Sequence, residues 1–211
     1  AQAPSSNTDV YNTAVGFNTG AAVTTGTDNT LIGGLAGDAA TTATGITFVG
    51  KSAGSATTTG GDNTGLGKQA LKSTTTGTAN TAVGKDALET NTTASNNTAV
   101  GFKALEANTT GANNTAIGYQ VLDSNTTASE NTGMGHNTLS ANTTGAGNLG
   151  VGYQVLAANT TANYNTGVGY DSLNDNTTGT ENVAVGAFAL DANTTGSYNT
   201  AVGKSSLGAN T

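Results

Sequence analysis

The side chains best placed to do chemistry are three carboxylates that recur at a constant interval of seventeen positions. They are Glu89, Glu106 and Asp123, and Lys72 lies one interval before them. If the segments between them stack as strands, these groups follow one another at steps of roughly 5 Å. Ca²⁺ favours oxygen ligands of this kind, although solvated carboxylates in salt tolerate such a spacing without an ion. Ca²⁺ is therefore the one candidate cofactor that the sequence offers.

Candidate catalytic residues are sparse. His136 is the single histidine, and the chain has no cysteine. His136 occupies a repeat position that elsewhere holds Lys or Tyr, which indicates a surface replacement. No metal-ligand cluster and no glycine-rich loop opening a helix can be recognised. We expect no enzymatic activity.

Recurring Asn-Thr-Thr segments have two interpretations. Seven of them, from Asn91 to Asn193, match the N-glycosylation sequon, as do Asn96 and Asn113. Identical asparagines on stacked segments can instead hydrogen-bond to one another from one segment to the next. This second interpretation predicts an asparagine ladder made of Asn91, Asn108, Asn125, Asn142, Asn159, Asn176, Asn193 and Asn210.

Composition excludes several classes of partner. The chain carries a net charge of −7 with six Lys and no Arg, which cannot neutralise a run of phosphates. No apolar stretch reaches the roughly 18 residues that span a bilayer. The abundance of Gly, Thr and Asn disfavours long helices. We therefore expect neither nucleic-acid binding nor membrane insertion.

The dominant feature is an internal repeat with a period of seventeen, without insertion or deletion. Twelve repeats cover residues 12–211, with the consensus N-T-A-V-G-x-x-A-L-x-x-N-T-T-G-x-x. An unbroken period with β-branched segments and Gly-rich turns predicts an all-β fold, a parallel β-solenoid of twelve coils. Residues 1–11 are predicted to form an N-terminal arm that completes a partial coil, residues 12–62 degenerate coils, and residues 63–211 regular ones.

Two rows of aliphatic residues are predicted to point inward, on two short strands per coil. The first row, the aliphatic row, precedes the recurring Gly; in the regular coils after the first it is Val83, Val100, Ile117, Met134, Val151, Val168, Val185 and Val202. The second, the leucine row, lies four residues after the Gly and consists of Leu71, Leu88, Leu105, Leu122, Leu139, Leu156, Leu173 and Leu190, continuing to Leu207. The first three coils have Gly20, Gly37 and Gly54 in place of this leucine, which predicts a thinner N-terminal end.

The residue directly after the recurring Gly varies between Lys, Tyr, Phe and His, which predicts a solvent-facing post-glycine row. Its aromatic members form a possible contact stripe of Phe102, Tyr119, Tyr153 and Tyr170. Exposed aromatic patches often mark a glycan or protein contact. Neighbouring rings can also simply stack on one another.

The unit NTAVGFKAL, from Asn97 to Leu105, and NTAIGYQVL, from Asn114 to Leu122, resemble known repeats. They are similar to the head repeats of YadA-like trimeric autotransporter adhesins and to the NTAIGYxAL and NTTG repeats of bacterial surface proteins and phage tail-fibre shafts. The resemblance implies a left-handed parallel β-roll, commonly a homotrimer, that serves adhesion or forms a fibre.

Function is expected to follow from self-association. The last repeat stops at Asn210-Thr211 about where the opening Asn7-Thr8 takes up the pattern, so that the chain is either a fragment of a longer array or a subunit that stacks head to tail into a filament, which is our prediction. The opening AQAPSS is typical of a mature, secreted chain, so we expect an extracellular or cell-surface location. The alternatives are an adhesin head or fibre segment that binds a glycan or host surface and, on the ranked Thr rows, an ice-binding protein.

Overall fold

The computed structural model describes residues 11–209 and contains one parallel sheet of twelve strands in sequential order. Each coil contributes one strand, and most strands are three residues long. The strands are β1 Thr13–Val15, β2 Thr30–Ile32, β3 Thr47–Val49, β4 Thr64–Leu66, β5 Thr81–Val83, β6 Thr98–Val100, β7 Thr115–Tyr119, β8 Thr132–His136, β9 Leu149–Tyr153, β10 Thr166–Val168, β11 Val183–Val185 and β12 Thr200–Val202. Apart from Tyr11, the N-terminal arm predicted from the sequence lies outside the described residues.

Every strand pairs with the next one at a constant register of seventeen positions. Thr98 lies beside Thr115, and Ala99 beside Ala116, with no slip along the stack. This geometry confirms the predicted all-β solenoid and the length of its coils. Within residues 11–209 no helix is long and apolar enough to cross a membrane.

The remainder of each coil consists of turns, so the prediction of a second strand around the leucine row is wrong. The leucines themselves have left-handed backbone conformations, with φ of 51° at Leu88 and 53° at Leu105. An extended strand requires negative φ, so these leucines cannot belong to one. The left-handed conformation is unusual for leucine and costs about 1 kcal/mol or more at each position. Backbone bonds between coils still continue here, because the N–H of Leu88 donates to the carbonyl of Ala104 at 3.0 Å.

The core confirms one predicted row and contradicts the other. From Leu71 to Leu190 the leucine row is fully buried. The aliphatic row lies on the outer side of the sheet, where Ile117 is 36% and Met134 is 40% exposed. Side chains alternate along a strand, so burial of the residue before the aliphatic one turns the aliphatic one outward. The predicted inward position is therefore wrong for Val83, Val100, Ile117, Met134, Val151, Val168, Val185 and Val202.

The buried strand position, the inner strand row, is Ala or Gly in nearly all coils and shares its space with the leucine row. Its two large members are Leu31 and Phe48, both buried. A Cβ added to Gly37 would approach Leu31 Cδ2 to 2.8 Å, and one on Gly54 would overlap the Phe48 ring. The second and third coils thus exchange a leucine and an alanine for a glycine and a larger residue, so their core is not thinned as predicted, whereas the first coil combines Gly20 with Ala14.

A second exchange links neighbouring coils. Gly133 of the inner strand row faces Val121 of the preceding coil, and an added Cβ would lie 2.5 Å from Val121 Cγ1. Gly167 and Val155 have the same relation at 2.5 Å. Where a regular coil has Ala in the inner strand row, the residue twelve positions earlier is Ala or Ser, as in Ala87 before Ala99. Side-chain volume is therefore conserved locally while the residues change, as close packing requires.

The recurring glycine at the end of each strand is fixed by its backbone. Gly84 has φ of 137°, and a Cβ there would overlap the carbonyl oxygen of Gly101 in the next coil. Only glycine combines this conformation with such a close approach of two backbones. The constancy of this position in the sequence has this physical cause.

Candidate functional site

The asparagine ladder predicted from the Asn-Thr-Thr segments is present from Asn91 to Asn193, but it lies inside the coil, fully buried. Asn125 Nδ2 donates to Asn108 Oδ1 at 2.9 Å, and Asn142 Nδ2 donates to Asn125 Oδ1 at 3.0 Å. Asn210 lies outside the described residues. Since these amides are buried and bonded, the seven Asn-Thr-Thr sequons are inaccessible in the folded chain, whereas Asn96 and Asn113 are exposed.

A second buried asparagine ladder was not predicted from the sequence. It uses the Asn that opens each NTAVG unit, including Asn97, Asn114 and Asn131. The backbone N–H of Asn114 donates to Asn97 Oδ1 at 2.9 Å, and the N–H of Asn131 donates to Asn114 Oδ1 at 3.0 Å. The signal for it was an Asn that recurs four residues before the Gly in eleven of twelve coils, with Ile46 as the exception.

The two ladders meet at one carbonyl in each of the seven coils that carry Asn91 to Asn193. Asn114 Nδ2 and Asn125 Nδ2 both donate to the carbonyl oxygen of Ala128, at 2.9 and 3.0 Å. Both acceptor sites of that oxygen are therefore used. The same arrangement recurs at Gly145, which accepts from Asn131 and Asn142. The polar interior of the solenoid is thus a continuous hydrogen-bond network.

The two threonines that follow each ladder asparagine differ in environment. The hydroxyl of Thr109 donates to the carbonyl of Thr126 at 2.9 Å, and that of Thr126 donates to the carbonyl of Thr143 at 3.2 Å. The second threonine, as in Thr110 and Thr127, is exposed. Each Thr-Thr pair therefore contributes one exposed hydroxyl row, whose members stand one coil apart.

The aromatic part of the post-glycine row is a stack of rings. The rings follow one another with centroid separations of 5.0–5.4 Å and interplanar angles of 7–20°. The members of the stack are Phe102, Tyr119, His136, Tyr153 and Tyr170. The sequence left stacking and ligand contact as alternatives for these residues. The structure shows the stacking and includes His136 in it.

Stacking uses up the ring faces. The rings along the stack cover one another, the Lys85 ammonium lies 5.0 Å from the Phe102 centroid, and Phe188 packs edge-on against Tyr170. A sugar that binds an aromatic residue through its apolar face needs a free ring face. This row offers ring edges and phenolic hydroxyls instead, with Tyr119 45% exposed.

The acidic residues form a cluster that differs in membership from the predicted ladder. Asp86, Glu89 and Glu106 have ligand atoms within 4.8 Å of one another, while Asp123 is outside this group. Each of the three is paired with a lysine: Glu89 with Lys72 at 2.9 Å, Glu106 with Lys103 at 2.9 Å, and Asp86 with Lys85. A hydrogen bond from Lys103 to Glu106 raises the pKa of the lysine. The ion pairs supply neutralisation of the kind that Ca²⁺ would give.

Shallow grooves lie beside the turns. One of about 310 Å³ is lined by Gln120, Asp123, Ser124, Asn137, Ser140 and Ala141. Burial raises the pKa of the Asp123 carboxyl, and its Oδ1 has no hydrogen-bond partner among the described residues. The lining of this groove contains two serines but no histidine or lysine that could act as a general base for a serine nucleophile.

One continuous feature of the surface is the outer side of the sheet, which we call the sheet face. Three rows run along it: a threonine row that opens the strands, the aliphatic row, and the post-glycine row at its border. The aliphatic row is unbroken over all twelve coils, from Val15 to Val202. Single exposed apolar residues are ordinary, whereas contiguous apolar patches on a protein surface often mark contact sites.

Comparison of the chain with protein-family models, with curated proteins and with solved structures gives no match.

Proposed function

We propose that the protein is a structural rod, a subunit of a secreted filament or surface appendage that extends by stacking coil upon coil. The single observation behind this proposal is the unbroken, constant register through twelve parallel strands. Such a chain is nearly one-dimensional, since each coil contacts only its neighbours. At about 4.8 Å per coil, twelve coils make a rod of roughly 58 Å.

The buried network suits a rod that must stay straight. From coil to coil the asparagine ladders repeat the same contacts, for example at 2.9 Å between Asn108 and Asn125, and the stacked rings from Phe102 to Tyr170 do so in five consecutive coils. Bending the rod would open these bonds on one side, and a buried polar group without its partner costs about 1–3 kcal/mol. Stiffness therefore follows from polar satisfaction inside the coil.

Each coil of the stack is covered by the coil that follows it. Leu190 is fully buried beneath the coil of Leu207, whereas Leu207 itself is 47% exposed. In the proposed filament a coil of another molecule covers Leu207 in the same way that the coil of Leu207 covers Leu190.

Adhesion and ice binding are weaker alternatives on this surface. Glycan binding through ring faces conflicts with the stacking of Phe102 to Tyr170. An ice-binding face needs adjacent ranks of free hydroxyls, whereas the first threonine of each pair donates its hydroxyl within the coil stack, as Thr109 does. An extracellular location remains part of the proposal and is supported by the sequence resemblance.

Negative-stain electron microscopy of the purified chain over a concentration series tests the proposal. We expect unbranched filaments many times longer than roughly 58 Å, the length of twelve coils, above a threshold concentration. A variant with Leu207→Asp serves as a probe of the end contact, since it places a charge in the coil that would be covered. Discrete short rods at every concentration, or filaments unaffected by Leu207→Asp, would contradict end-to-end stacking.

A further inference from the structure

The sheet face carries an apolar row that the single chain leaves partly exposed along its whole length. Members from every part of the row are at least 36% exposed, namely Val15, Ile32, Leu66, Ile117, Met134, Val185 and Val202. No residue of the described chain packs over this row, because the coil closes on the other side of the sheet. A water-facing position in a strand has no need of twelve consecutive aliphatic residues.

We propose that the sheet face binds the sheet face of a second copy of this chain, related by a twofold axis parallel to the rod. The two rods then lie side by side with the same polarity, and each coil faces the same coil of its partner. Across such an axis the strands run in opposite directions, so the aliphatic row meets itself at the centre. This side-by-side pairing goes beyond end-to-end stacking and does not depend on it.

The size of the face matches that of a stable dimer. Eleven steps of about 4.8 Å give a length of roughly 53 Å, and strands of three to five residues give a width of about 15 Å. The product is roughly 800 Å² on each copy, which is the area of a standard specific interface. Aligned packing of two such sheets about 10 Å apart is an ordinary arrangement for β-structure.

The lengths of the side chains in the outer two rows favour a twofold axis parallel to the rod. The threonine row at one side of the face has short side chains, such as Thr98 and Thr115, whereas the post-glycine row at the other side has long ones, such as Phe102 and Tyr119. An axis parallel to the rod places long side chains against short ones. An axis perpendicular to the rod would place long against long and leave a gap between the two threonine rows.

The exceptions in the threonine row agree with the same axis. Only Leu149 and Val183 replace threonine among the twelve coils. Across an axis parallel to the rod, Leu149 faces Tyr153 of the same coil in the other copy, and Val183 faces Ala187. Both exceptions therefore meet apolar neighbours.

Charges on the two borders favour the same axis. The residue before the Asn that opens each NTAVG unit is exposed and acidic in four coils: Asp28, Asp62, Glu130 and Glu181. The post-glycine row on the other border has the lysines Lys51, Lys68, Lys85 and Lys204. An axis parallel to the rod brings opposite borders together, so that Asp62 meets Lys68 and Glu130 meets the His136 imidazole in matching coils, while Asp28 and Glu181 face the uncharged Gly34 and Ala187. A perpendicular axis would bring Asp28 to Glu181, and like charges at an interface oppose binding.

Native mass spectrometry and distances between spin labels test the proposal on the full chain. A single label at Lys204→Cys, and separately at Lys51→Cys, is placed on the border of the face in a chain that has no other cysteine. We expect a two-chain species below the concentration at which filaments form, with label separations under about 30 Å at both sites. A perpendicular axis would separate the labels at position 204 by more than about 50 Å, since eleven coil steps lie between them.

Matched charge variants test the surface itself. Ile117→Asp with Val151→Asp changes the aliphatic row, and Thr110→Asp with Thr144→Asp changes the exposed threonines on another side of the coil. We expect the first pair to raise the dissociation constant of the dimer at least 100-fold and the second pair to change it less than threefold. Circular dichroism melting confirms that both are folded. A monomer, a trimer, a long distance at position 204, or equal weakening by both pairs would overturn the proposal.

Discussion

Substitution of one ladder asparagine is the most direct test of how this solenoid is held together. Asn125 is fully buried; its Nδ2 donates to Asn108 Oδ1 at 2.9 Å and to the carbonyl of Ala128 at 3.0 Å. Its own Oδ1 accepts from Asn142 Nδ2 at 3.0 Å. Asn125→Ala removes all three bonds without changing the backbone.

The magnitude follows from which partners are left without a bond. Asn142 keeps its bond to Gly145, and the carbonyl of Ala128 keeps the bond from Asn114. Asn108 Oδ1 has no other donor among the described residues and becomes a buried acceptor without a partner, which costs about 1–3 kcal/mol. With the small cavity added, we expect a loss of roughly 2–4 kcal/mol in the free energy of unfolding.

Urea unfolding followed by circular dichroism measures this loss, and hydrogen exchange locates it. Repeat proteins unfold in units, so we expect faster amide exchange in the coils next to Asn125 before it changes at the ends. The matched control is Thr127→Ala, two residues along and exposed, which is expected to stay within about 0.5 kcal/mol of the parent. If Asn125→Ala and Thr127→Ala unfold alike, the ladder does not stabilise the fold and the reasoning fails.

Three further predictions concern single positions. Gly101→Ala has to place a Cβ against the next coil at positive φ, so we expect a loss of roughly 3 kcal/mol or more in thermal melts of the unassembled chain. Gly203→Ala has open space around it in the unassembled chain and should lose about 1–2 kcal/mol under the same conditions; equal losses would contradict the role of the close approach. Gly133→Ala should cost about 1–3 kcal/mol from its clash with Val121, and addition of Val121→Ala should recover most of it; additive losses in the double variant would contradict local volume exchange. Burial raises the pKa of Asp123 in the folded chain. Its contribution to the free energy of unfolding is therefore most favourable below the ordinary pKa of about 3.9 and is lost as pH rises through the higher pKa of the folded state. Asp123→Asn should therefore raise the melting temperature at about pH 7 but not at about pH 3, and a fall at neutral pH would show that the carboxylate is stabilising.

Much of the fold could be predicted from the sequence because the repeat is strict. A constant interval between the recurring glycines determines the number of coils, the parallel register and the stacking of equal residues. Burial of Leu88 and its equivalents, and the ladder through Asn125, follow from equal residues at equal positions. These are statements about one coil that hold along the whole stack.

What failed was the assignment of faces within the coil. A shift by one residue exchanges the two sides of a strand. The sequence favours Val100 for the core in place of Ala99 beside it, because the position of Val100 is aliphatic in every coil. In this coil the inner strand position has room only for a small residue such as Ala99, because Leu105 fills the space from the turn side. The exchange of Phe48 against Gly54 carried this information, since it shows which two rows share a volume.

The volume exchange between Val121 and Gly133 also constrains how such a gene can change in length. Every coil has the same register, so duplication or loss of seventeen codons adds or removes one coil and keeps the register of the remaining strands. Unequal recombination is harmless only where the crossover keeps both members of an exchanged pair, twelve codons apart, on the same parental segment. Crossovers outside those twelve codons should therefore be the ones that persist. The segments that are inherited together then begin and end between exchanged pairs, and not at the boundaries of the coils.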